Sequence, residues 1–166
     1  MDKKENVISI LVNNKPDVLA RVAGTLGGKG YNIETLCVDV TINPDVSKII
    51  LTTIGTKATV QKIEAQLTRL IDVIKVENLT DVETVKRELV LIRIATEGAA
   101  RSQLLELANV FRARIVDVAP RATTIEITGS TDKMEAFLDL VRPFGIKEMV
   151  RTGKIALGRA PREKKQ

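Results

Sequence analysis

With 166 residues, 44% of them apolar and 28% charged, the chain has the composition of an ordinary folded protein, long enough for one large domain or two small ones. A single cysteine, Cys37, and the absence of histidine exclude an internal disulfide and any mechanism that needs an imidazole base or imidazole metal ligand. The net charge of +5 is concentrated at the end: from Lys147 onward seven Lys or Arg face Glu148 and Glu163, leaving 19 of each sign elsewhere, so a basic tail follows a neutral body.

The opening MDKKENV lacks a signal peptide's apolar stretch, and the longest apolar runs, such as 89–92, span only a few residues. A cytoplasmic protein without membrane spans is expected. VISILVN (7–13) reads as an apolar strand, and Val18, Leu19, Val22, Ala23 and Leu26 form a helical stripe that stops at Gly27, Gly28 and Gly30. GTLGGKG (24–30) has the glycines of a phosphate loop but neither its spacing nor its Lys-Ser/Thr ending, and it follows a helix instead of preceding one. Helix termination is the reading, with the glycines supplying left-handed conformations.

Leu36, Val38, Val40 and Ile42 then alternate with Thr35, Cys37, Asp39 and Thr41, and the turn NPD (43–45) reverses the chain into KIILTTIGT (48–56). A helix with Val60, Ile63, Leu67 and Leu70 on one face and the strand VIKVENL (73–79) complete the order strand, helix, strand, strand, helix, strand, the ferredoxin-like unit.

The rest of the chain repeats that order. ELVLIRIAT (88–96) is a strand; Leu104, Leu107, Ala108 and Phe111 mark a helix; RIVDV (114–118) and TTIEITG (123–129) are strands about a turn at Pro120. Met134, Phe137, Leu138 and Val141 make another helical stripe, with Asp132 and Glu135 spaced for a capping box and Pro143 and Gly145 ending it; IKEMV, or a strand reaching about Leu157, closes the unit. The expected fold is α+β, an α/β sandwich of two ferredoxin-like βαββαβ domains, 1–80 and 81–166, joined near TDVETVKRE (80–88). Each alone would bury about 60% of its unfolded surface, so packing between copies is expected.

No catalytic constellation stands out. Cys37 has no basic neighbour in sequence and reads as a small apolar residue; Asp39, Asp45, Asp72, Asp81 and Asp117 lack metal-loop spacing. The RNA-binding version of the fold needs aromatics on its two central strands, and VISILVN and KIILTTIGT have none. Apolar residues on both faces of those strands point to a sheet surface or edge, opposite the helices, that meets protein. A nucleic-acid-binding protein that uses the basic tail is the alternative from another class. The junction NNKPD (13–17) is the candidate site: a helix start gathers amides that favour an anion, and Asn14 and Asn32 frame it and the next strand's entry, a bracket for the carboxylate and amine of a small molecule.

The stretch ILVNNKPDVLARVAGTLGGKGYNIETLCV, followed by IEAQLTRLIDVIKV, the segments REL and LIRI, FRARIVDV and KMEAFLDLVRPFGI, resembles the regulatory (small) subunit of acetolactate synthase, or acetohydroxyacid synthase, whose first half is an ACT domain. The resemblance covers nearly the whole chain. It implies a non-catalytic subunit, without cofactors of its own, that activates a large catalytic subunit holding thiamine diphosphate, Mg²⁺ and FAD, under feedback from valine or a related branched-chain amino acid. It implies ACT domains paired side by side as a homodimer, with no nucleic acid or membrane partner. The effector would lie between Asn14, Lys15, Pro16, Asp17, Val18 and Leu19 of one chain and Asn32 and Ile33 of the other. The family usually has glycine where this chain has Asp17, which is expected to cap the helix amides, adding roughly 0.3–1 kcal/mol, and to repel a bound carboxylate.

Overall fold

In a computed structural model of the chain, which describes residues 3–160, the alternating Ile8, Ile10 and Val12 form the buried face of β1 (Lys4–Asn13). β1 pairs antiparallel with β3 (Val46–Gly55) on one side and β4 (Val73–Asn78) on the other, and β2 (Thr35–Val40) pairs with the outside of β3, giving the order β2-β3-β1-β4. Helices α1 (Val18–Gly27) and α2 (Lys57–Leu67) cover one face. Val18, Val22 and Leu26 recur every fourth residue and so line one side of α1; with Val60, Ile63 and Leu67 they join Ile8, Ile10, Ile49 and Leu51 in one core. α1 ends in its glycines as expected, although among Gly27, Gly28 and Gly30 only Gly30 is left-handed, at φ +75°.

The second half builds the same unit from β5 (Thr84–Ala95), α3 (Ala99–Val110), β6 (Arg114–Ala119), β7 (Ala122–Gly129), α4 (Thr131–Val141), a 3-10 turn at Arg142–Phe144 and β8 (Ile146–Arg151), with β6-β7-β5-β8 side by side. Its core gathers Val90, Ile92, Ile94, Leu104, Ile125 and Met134 around Phe137, whose ring meets Phe111 edge to face at 5.3 Å. The cap of α4 differs from the expected Asp132–Glu135 box: Ser130 is the N-cap and accepts from Lys133 N, while Glu135 binds Arg151. Ser130 is the residue with extended backbone, which the capping geometry needs.

Two boundaries shift. The chain divides between Val85 and Lys86, just inside β5, instead of at 80/81, and the second unit ends at Gly153. The last predicted strand is two strands. β8 stops at Arg151, Gly153 turns the chain at φ +74°, and β9 (Ile155–Gly158) belongs to the first unit. There Ala156 packs with Val7, Ile50 and Leu79, Lys154 pairs with Glu5, and Arg159 N donates to Glu83 O at 2.8 Å. Part of the helix-free face, expected to meet another protein, is thus covered by the chain's own end.

The basic tail is also partly used internally. Arg151 binds Glu88 at 2.6 Å and Glu135 at 2.8 Å, and Lys154 is held by Glu5; 161–166 lie outside the described residues. These pairings take two cations out of any nucleic-acid footprint. Replacing Ala156 by Asp puts a carboxylate against Val7 and Ile50 and should destabilise the first unit by about 2 kcal/mol or more. Hydrogen exchange in urea checks this: the amides of β1 and β3 should lose protection at lower urea, and unchanged protection there would contradict the return of β9.

Candidate functional site

After Asn13 the chain leaves β1, turns through Asn14, Lys15 and Pro16, and enters α1 with Asp17 as its N-cap. Asn14 is anchored to the β2–β3 turn by its backbone N to Asp45 O (2.7 Å) and its Nδ2 to Pro44 O (2.8 Å). Asp17 sits at φ 67°, ψ −8° and its side chain makes no capping bond. This corrects the expected capping role. A capping Asp has extended backbone so that its oxygen turns back over the second and third amides, and the left-handed conformation does not present it there. A φ above zero is free for glycine and tolerated by Asp better than by most residues. The first helical bond runs from Arg21 N to Asp17 O (2.9 Å), so the amides of the first turn have no side-chain cap.

The loop is held from beneath by one of the scattered acids that lack metal-loop spacing. Asp72, in the turn between α2 and β4, is 7% exposed. Its carbonyl accepts from Asn13 N (2.8 Å), Oδ1 accepts from Asn13 Nδ2 (3.3 Å) and Lys15 Nζ (3.1 Å), and Oδ2 accepts from Arg21 Nη1 (3.0 Å). The hydrogen bonds from Asn13 and Lys15, aided by the charges of Lys15 and Arg21, hold its carboxyl below the usual value of 3.8 against the opposing effect of burial. Its signal in the sequence is faint, an acid flanked by Ile71 and Val73, and no spacing links it to residues 13–21.

Of the predicted site residues, 14–19 form one continuous corner. Val18 contributes backbone there, because its side chain is in the core; Leu19 is half-exposed, and Pro16 and Asp17 are exposed. Ile33 packs against the same core, and Asn32 donates to Glu34 Oε1 (2.7 Å) while its carbonyl accepts from Thr53 Oγ1 (2.7 Å). One chain does not bring the two groups together. Asn13 lies opposite Val46, and Val40 opposite Ser47; Thr35 and Val7 both lie opposite Thr52. Asn14 and Asn32 are therefore at opposite ends of the sheet, about 20 Å apart at 3.4 Å per residue.

β2 separates them, and its outer edge is regular, with six successive pairs to β3 on the inner side. Its side chains Leu36, Val38 and Val40 lie beyond the helices and are 36–53% exposed. The corresponding edge strand of the second unit, β6, is interrupted by a bulge between Ile115 and Asp117, which twists an edge away from pairing. A groove of about 590 Å³ on the helix-free side of β2 and β3, lined by Leu11, Cys37, Ile50, Ala156 and Leu157 among others, includes none of the eight predicted residues. Among the described residues no three His, Cys, Asp or Glu are grouped to hold a metal, and no helix is long and apolar enough to cross a membrane.

Residues 8–75 match the family model for the AHAS small subunit-like ACT domain, and 87–160 that for the small subunit of acetolactate synthase. The chain is 45% identical to the acetolactate synthase small subunit of Aquifex aeolicus, over 94% of this chain and 82% of that one. It is 46% identical to the probable acetolactate synthase small subunit of Archaeoglobus fulgidus, over 93% and 97%. The crystal structure of the acetolactate synthase small subunit from Thermotoga maritima superimposes with a TM-score of 0.89 at 32% identity, covering 95% of this chain and 99% of that one. With two ferredoxin-like units, the first an ACT domain, and relatives matched along nearly its whole length, this chain belongs to the acetolactate synthase small-subunit family, the regulatory subunits of that enzyme complex.

Proposed function

We propose that this small subunit binds and activates the large catalytic subunit of acetolactate synthase and lets a branched-chain amino acid, valine in the first instance, restrain the complex. In this reading the chain acts as a homodimer, and thiamine diphosphate, Mg²⁺ and FAD belong to the catalytic subunit. The observation that carries the reading is the open edge of β2. Two copies paired antiparallel through β2 set the start of one strand beside the end of the other. That pairing moves Asn32 and Ile33 of a second copy from the far end of the sheet to the corner formed by Asn14, Lys15, Pro16, Asp17, Val18 and Leu19. It also buries the exposed row Leu36, Val38 and Val40. The uncapped first-turn amides then supply donors to an amino acid's carboxylate, and Leu19 offers apolar contact to its side chain.

Asp17 acts against this binding. Its carboxylate leaves the amides uncovered but stands beside them, and two like charges about 4 Å apart repel by ~1 kcal/mol in water and ~4 kcal/mol at an effective dielectric of about 20. The corresponding loss of affinity lies between several-fold and several hundred-fold. Feedback is accordingly weak in this chain while subunit activation is retained.

Mixing the chain with its large subunit should raise the rate of acetolactate formation and produce co-migration; the absence of both effects would refute the activating role. Val38→Lys should convert the dimer to monomer in light scattering and weaken valine binding at least tenfold, and a variant that remains dimeric removes β2 as the pairing edge. Asp17→Gly should tighten valine binding measured by calorimetry by several-fold or more while changing unfolding free energy by no more than about 1 kcal/mol, since relief of the left-handed conformation is offset by a freer unfolded chain. Tight valine binding by the native chain, unimproved in Asp17→Gly, would sink the blocking role.

A further inference from the structure

Four charges surround the start of α1 and cancel: Lys15 and Arg21 against Asp17 and Asp72. They are not equivalent. Asp17 is exposed and makes no capping bond, whereas the nearly buried Asp72 takes both cations, Lys15 on Oδ1 at 3.1 Å and Arg21 on Oδ2 at 3.0 Å. Lys15 precedes the uncapped amides and Arg21 follows them, and Val18 and Arg21 of the helix line a small crevice together with Leu70, Asp72 and Val73. The two cations that flank the amides are thus committed elsewhere.

The second unit shows what the fold itself needs here. Gly145 precedes β8 as Asp72 precedes β4, and its carbonyl accepts from Ala95 N at 2.8 Å, the same bond at the same length as Asp72 O to Asn13 N. Backbone alone makes that tie. The carboxylate of Asp72 is an addition confined to the unit that carries the candidate site.

We propose that Asp72 is a specificity-determining residue of the effector site: by holding Lys15 and Arg21 it leaves a helix start suited to the single carboxylate of a neutral amino acid and unsuited to dianions such as phosphate. This inference rests on the functional reading above. An arriving monocarboxylate meets amides and their partial positive charge. Without the carboxylate of Asp72, Lys15 and Arg21 add two cations to that half charge, an arrangement that favours a doubly charged, multiply accepting anion. Held low by its partners, Asp72 is ionised at neutral pH, and its stabilising effect is present above the unfolded value and lost as pH falls through the folded one.

Calorimetry on the full chain, titrated separately with valine and with inorganic phosphate, tests the assignment. Asp72→Asn should weaken valine at least tenfold and acquire phosphate binding that the native chain lacks; adding Lys15→Met should remove the gain, and Asp72→Glu should behave as native. A purely structural role predicts loss without gain. Asp72→Ser, which keeps an acceptor for Asn13 but no charge, substitutes if Asp72→Asn does not fold. Unchanged valine affinity in Asp72→Asn, or no phosphate gain in either uncharged variant, overturns the inference alone. Failure of both the native chain and Asp17→Gly to bind any branched-chain amino acid overturns the effector reading, whereas the phosphate titration still decides whether Asp72 restrains the two cations.

Discussion

Ten consecutive residues of β1 face ten of β3 without irregularity, from Lys4 opposite Gly55 to Asn13 opposite Val46. A slip of one residue would turn Ile8, Ile10 and Val12 out of the core, so this register is strongly determined, and the corner follows from it. Asn13 must end beside the β2–β3 turn, which lets Asn14 bond Pro44 and Asp45. The opposite end of the same ladder holds Asn32 through Thr53. The separation of the two predicted segments is therefore a property of the main hydrophobic pairing, and a site using both needs a second copy.

The two units tie down the corresponding corner with similar backbone hydrogen bonds but different residues, and the helix entry differs in ψ, −8° at Asp17 and −130° at Gly98. Thr96 N donates to Arg121 O as Asn14 N donates to Asp45 O, and Arg101 reaches Ala119 O and Pro120 O much as Asn14 reaches Pro44 O. Gly98 enters its helix at φ +55° where Asp17 enters at +67°. A positive φ at this position is thus common to both halves, and Asp17 occupies a conformation that glycine takes more freely. What distinguishes the first unit is a carboxylate beneath the loop and an edge without a bulge.

Periodicity makes most of the fold legible in the sequence. Stripes such as Val18, Val22, Leu26 and Met134, Phe137, Leu138, Val141 signal helices because burial forces the helical repeat on them, and they are found buried. Contacts between residues distant in sequence were not legible. Asp72 lies 51 residues from Arg21, and Lys154 149 residues from Glu5; a lone charge in a turn reads the same whether solvated or gripped. Local rules also compete. Asp132 and Ser130 both satisfy cap statistics, and only backbone conformation chooses Ser130. At the candidate site, residue 17 was legible as a cap by type, but its left-handed backbone removed the geometry on which capping depends.

The place of β9 in the chain has a consequence for synthesis. The ribosome completes the whole of Lys86–Gly153 before Ala156 exists to cover Val7 and Ile50. At roughly 5–20 residues per second, several seconds pass in which the first unit has its helices and strands but lacks its final strand. During that interval its helix-free face is a temporary apolar surface available to chaperones or to another nascent chain, so the unit made first is the one finished last.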